Sequence, residues 1–141
     1  MLNDNFILAY ILRVSDQGVQ YQGYFAEVEN SLKAERQLVG GRITTYPLTA
    51  EMDIISCDDA VAKCMKLNRA LYDLQGNFIT AFLGNVMVVC HEGDSFTSVR
   101  YEDKEIIEKC LKPIERIFAG QVFLADEASL LKWRGKYGTA N

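Results

Sequence analysis

The residues best suited to chemistry fall in four short stretches of the chain. The densest basic cluster of the middle is Lys63, Lys66 and Asn68-Arg69. An arginine offers five donors in a planar fork that matches phosphate or carboxylate, and an asparagine can read an amide or a base edge. A polar loop is the setting in which such a pair most often carries function. The second stretch is Gly40-Gly41-Arg42, where two glycines could let backbone approach a ligand beside a charge. It is not a phosphate loop, because it follows a helix and lacks G-x-x-x-x-G-K-[ST]; a helix C-cap also explains the pair. The expected ligand-binding set is therefore Asn68, Arg69, Lys63, Lys66, Gly40, Gly41 and Arg42.

The third stretch, Cys90-His91-Glu92, holds the single histidine. A thiol, an imidazole and a carboxylate could activate a nucleophile or bind zinc. One histidine without spaced partners reads better as a surface residue at a strand end. No serine stands in a G-x-S-x-G elbow. The fourth stretch is the tail, with Lys132, Trp133, Arg134, Lys136 and Tyr137. Basic residues among aromatics can grip a single strand or a partner groove. The simpler reading is a terminal helix with Trp133 folded onto the domain, since a large aromatic buries so much area. No catalytic residue, metal site or cofactor is expected.

Bulk properties bound the class. The chain has 141 residues, 49% apolar and 24% charged, which suits one globular domain over 1–141. Fifteen basic against nineteen acidic residues give a net charge of -4. That balance argues against coating duplex nucleic acid, which calls for a basic face. The four cysteines, Cys57, Cys64, Cys90 and Cys110, form no C-x-x-C pair and are expected as reduced thiols. The start lacks a basic n-region and a cleavage site, and no run approaches the roughly 18 apolar residues of a membrane helix. A cytoplasmic protein is expected.

The elements that must position these residues follow from apolar spacing. Residues 6–14 (FILAYILRV) read as a central strand. Phe25, Val28, Leu32 and Val39 fit one face of a helix over 25–39, closed by Gly40 at C′. Strands follow at 42–49 and 52–57, and Pro47 places the first near its end or at an edge. Residues 60–73 fit either a helix or a short strand with a turn, and 73–77 form a turn. The runs 78–84 and 85–90 read as a hairpin or one long bent strand, and 91–98 as a polar loop. A helix over 101–112 carries acids in its first turn and lysines near its end. Pro113 opens a second short helix to Gly120, and a third covers about 125–134. The expected fold is α+β: a mostly antiparallel sheet of about five strands with helices packed on one face.

In order along the chain stand Leu38-Val39-Gly40-Gly41, then Arg42-Ile43-Thr44, Cys57-Asp58-Asp59, and Leu67-Asn68-Arg69-Ala70-Leu71. The D-x-x-G-N of Asp73 to Asn77, Gly84, and the S-V-x-x-E-D of Ser98 to Asp103 complete the set. This ordered set resembles domain-of-unknown-function family 3846, small proteins of phages, plasmids and other mobile elements. The resemblance covers about 36–112, with 113–141 as a helical extension. The family usually reads Asn-Glu where this chain has Cys57-Asp58. It implies an intracellular mobile-element protein with no assigned enzymatic activity. The expectation is a non-enzymatic accessory factor, anti-defence in role. It would act by stoichiometric binding of a host protein or a nucleotide signal. The alternative is a nucleic-acid-interacting accessory protein of replication, using Arg42, Lys63, Lys66, Arg69 and the tail. A homodimer paired through the 42–49 edge is expected.

Overall fold

The computed structural model describes residues 5–135. Strand β1, Phe6–Leu12, is apolar at every position because both of its faces are covered. Side chains alternate across a strand. Tyr10 and Leu12 therefore enter one core cluster, while Ile7, Ala9 and Ile11 enter a second on the opposite face. Around β1 lies the first sheet, in the order β2 (Tyr24–Glu29), β1, β7 (Val86–Glu92), β4 (Met52–Cys57), β3 (Ile43–Pro47). The short strand β8, Ser95–Thr97, pairs with β7. A second sheet runs β10 (Gln121–Leu124), β9 (Leu111–Phe118), β5 (Leu67–Tyr72), β6 (Phe78–Leu83). Every strand pair in both is antiparallel.

The expected mostly antiparallel fold is thus present, but as ten strands in two sheets among the described residues. The helices are not gathered on one face. Helix α1, Leu32–Val39, puts Leu38 and Val39 into the cluster with Ile7, Ala9 and Ile11. Helix α2, Lys104–Cys110, puts Ile107 and Cys110 into the other cluster, with Leu71 and Phe82 of the second sheet. The first sheet is therefore a middle layer.

Several elements differ from the sequence reading. The helix expected over 25–39 begins only at Leu32. Phe25 and Val28 belong to β2, which runs alongside β1 from Phe6↔Glu29 to Ile11↔Tyr24. Ser31 caps the helix by accepting from Ala34 N, and Gly40 closes it at φ 90°. The runs 78–84 and 85–90 do not form a hairpin. β6 stays in the second sheet and β7 returns to the first, and the chain turns between them at Gly84, φ 78°. The helix expected over 101–112 is a 3-10 turn, Tyr101–Asp103, followed by α2, which stops at Cys110. The residues after Pro113 are strand, not helix: β9 and β10 make a hairpin in which Phe118 pairs with Gln121. The helix expected near 125–134 is one 3-10 turn, Glu127–Ser129, capped by Asp126. Part of the polar loop at 91–98 is strand, since Glu92 pairs with Ser95. The turn at 73–77 is as expected: the Asp73 carboxylate accepts from Gln75 N and Asn77 N.

Candidate functional site

Asn68 and Arg69 lie within β5, not on a loop, and are 0% and 2% exposed. The Asn68 amide donates to the Leu12 carbonyl at 2.9 Å and to the Gly84 carbonyl at 2.8 Å. Its oxygen accepts from Arg69 Nη1 at 3.0 Å. That nitrogen also donates to the Asn68 carbonyl, and Arg69 Nη2 donates to the Tyr21 carbonyl at 2.6 Å. The pair ties the end of β1, the 13–23 segment and the Gly84 corner to β5. Both N–H groups of the Asn68 amide are occupied by protein carbonyls, so an exposed ligand contact through them is not what this geometry offers.

The other expected residues come together elsewhere. Lys63 Nζ donates to the Gly40 carbonyl at 2.8 Å and stands 3.8 Å from Asp59. Arg42 pairs with Asp58 at 2.8 Å. Gly41 packs so closely that an added Cβ would meet Lys63 Nζ at 2.6 Å. Gly40, Gly41, Arg42 and Lys63 thus form one cluster at the end of α1, with Asp58 and Asp59 balancing its charge. Burial and the Asp59 carboxylate push the neighbouring Cys57 thiol up from its ordinary range. Lys66 lines two depressions beside the 15–20 turn, of about 850 and 450 Å³. Arg69 lines a different cavity, of about 280 Å³, to which neither Lys66 nor this cluster contributes.

Cys90 and His91 cannot act as a thiol–imidazole pair. They are successive residues of β7 and point to opposite faces of the sheet. Cys90 packs on the Tyr10 core, where burial foremost pushes its thiol up. His91 Nδ1 stands 2.9 Å from Asp53 Oδ2 on the adjoining strand. Among the described residues, no group of three His, Cys, Asp or Glu side chains is placed to hold a metal ion. All four cysteines are free thiols.

One polar cavity involves two residues that spacing did not single out together, Arg13 and Trp133. Arg13 follows directly on β1 and is 4% exposed. Its Nε donates to the Tyr24 hydroxyl at 2.6 Å, and its guanidinium lies 4.5 Å from the centre of the Trp133 ring. Trp133 in turn meets Tyr21 edge to face, centroids 5.1 Å apart. The segment carrying Trp133 is fixed by backbone: Gln22 N donates to the Leu131 carbonyl at 2.7 Å, and Leu131 N to the Gln20 carbonyl. Arg13 Nη2 and Trp133 Nε1 are both buried and have no acceptor among the described residues. The residues Arg13 and Trp133 line a cavity of about 320 Å³ together with Tyr21, Asn85 and Asp16. An unpaired buried donor costs about 1–3 kcal/mol, so two at one cavity mark a place for acceptor atoms. The sequence signal for Arg13 was a charge closing an otherwise apolar run. For the tail, the reading with Trp133 folded onto the domain matches the structure, although on an extended segment. Lys136 and Tyr137 lie outside the described residues.

The family comparison covers most of this architecture. The chain belongs to the family described as Domain of unknown function (DUF3846), which matches residues 11–115. The match reaches from the end of β1 into β9, wider than the 36–112 over which the motifs were recognised. No curated protein and no solved structure matches the chain. No helix among the described residues is long and apolar enough to cross a membrane.

Proposed function

We propose that this protein is a non-enzymatic binding protein that captures a small anionic ligand of nucleotide type, one molecule per chain. We further propose an accessory, anti-defence role for it, encoded by a phage or mobile element and exercised in the cytoplasm of the host cell. The observation that carries the binding reading is the pair of buried donors without an acceptor among the described residues, Arg13 Nη2 and Trp133 Nε1, on two residues that line one cavity. A phosphate or similar oxyanion supplies acceptors to both and a counter-charge to the guanidinium. Tyr21 and Trp133 add aromatic surface on which a base can rest. The nucleic-acid reading draws less support, because Arg42 and Lys63 are engaged by Asp58 and Asp59, and Arg69 is buried.

The test uses Trp133, the single tryptophan of the chain, as its own reporter. Titration with mononucleotides, cyclic and linear dinucleotides and inorganic phosphate is expected to change its fluorescence saturably for at least one nucleotide. That nucleotide is expected to be recovered unhydrolysed. Arg13→Gln is expected to weaken binding by about tenfold or more, the worth of a charge-assisted hydrogen bond. Flat titrations throughout, or steady turnover of the nucleotide, would count against the proposal.

A further inference from the structure

We propose that a second cavity, the one floored by Arg69, binds a free α-amino acid with an apolar side chain. This site is separate from the Arg13 cavity and does not depend on it. Arg69 is 2% exposed, and its terminal nitrogens meet only neutral oxygens, those of Asn68 and Tyr21. Among the described residues no carboxylate reaches ion-pair distance of it. Burial, the largest influence, pulls its pKa down to about 10, so it is still a cation at neutral pH. A buried charge without a contacting counter-ion is costly, and a ligand carboxylate supplies one.

The rest of the cavity sets the remainder of the ligand. Glu108 and Glu127 line it, and both are near enough to oppose the lowering of the Arg69 pKa. Glu108 is steadied by the Tyr10 hydroxyl, which donates to its Oε2. These carboxylates match an ammonium group. Ile107 and Leu130 give an apolar wall, and Lys104 stands on the lining beside them. The volume is about 280 Å³, at the small end for ligand pockets. Two cations, Arg69 and Lys104, and two carboxylates within so small a space require both ligand charges on one short molecule. A zwitterionic amino acid meets that requirement; a nucleotide or a long peptide does not.

The test is calorimetry and thermal shift of the full chain with the proteinogenic amino acids. Leucine is compared with isocaproate, which lacks the ammonium, and isoamylamine, which lacks the carboxylate. At least one apolar amino acid is expected to bind, and its two singly charged analogues to bind about tenfold more weakly or worse. Arg69 also holds Tyr21 and Asn68, so its removal would perturb the fold. Glu127 is exposed, and Glu127→Gln is the discriminating variant. It is expected to lower amino-acid affinity about tenfold without moving the unliganded Tm. Trp133→Phe is expected to leave that affinity unchanged, which separates this site from the Arg13 cavity. No binding by any amino acid, or equal binding by wild type and Glu127→Gln, overturns the proposal.

Discussion

Asn68 has no solvent exposure, yet its amide and carbonyl join three parts of the chain. Replacing it by alanine leaves the Leu12 and Gly84 carbonyls buried without those donors. Asn68→Ala is therefore expected to lower unfolding stability by about 2–4 kcal/mol, measured by urea denaturation. Glu35 illustrates the opposite case. It is 4% exposed on the inner side of α1, and burial raises its carboxyl pKa above the ordinary value. A raised folded-state pKa means the native state holds its proton more tightly than the unfolded chain. The stability this gives is full below the unfolded pKa and is lost as pH rises through the folded one. Glu35→Gln is accordingly expected to be more stable than wild type at neutral pH. The advantage is expected to vanish below about pH 4, where both chains are protonated or neutral at this site. Paired melting curves across that range check it, and a constant difference at all pH values would contradict the linkage.

Among the elements, α1 is the clearest case of local control. It is only eight residues long, too short to be stable alone, so its caps and its packing must hold it. The Ser31 hydroxyl oxygen accepts from Ala34 N at 3.1 Å. Ser31→Ala is expected to cost about 1 kcal/mol in equilibrium unfolding, and Ser31→Asp to restore most of it. The β9–β10 hairpin shows control from outside. Pro113 pairs with Arg69 and Lys112 with Ala70, so the neighbouring β5 templates a strand where helix signals are present. Leu111 already has an extended conformation, which ends α2 at Cys110.

For the whole molecule, the layering predicts an order of opening. Strands β1, β4 and β7 sit inside the first sheet with both faces covered, whereas residues 115–121 at the hairpin end are exposed. Native-state hydrogen exchange is expected to protect Tyr10, Ile54 and Val88 amides longest. Ile117 and the hairpin tip are expected to exchange first. Slow exchange at the tip would instead point to a partner covering it. The Arg13 cavity belongs to this scale as well. Its walls come from Arg13 just past β1, the 14–21 turn, the β6–β7 corner and the tail.

Local chemistry in the sequence determined the β1 apolar run, the β3 edge strand ending at Pro47, the Gly40 cap and the Asp73 turn. Each depends on residues within a few positions of one another, so periodicity and turn preference suffice. Tertiary structure decided that Phe25 and Val28 are strand, that 111–118 is strand, and that β6 and β7 part company at Gly84. It also buried Asn68 and Arg69 and placed Trp133 over Arg13. Helical spacing at Phe25 and Val28 does not prevent pairing with β1, and a polar residue carries no local mark of whether distant carbonyls will receive its donors. Pairing and burial arise from neighbours far along the chain, and only the assembled sheets bring those neighbours into contact.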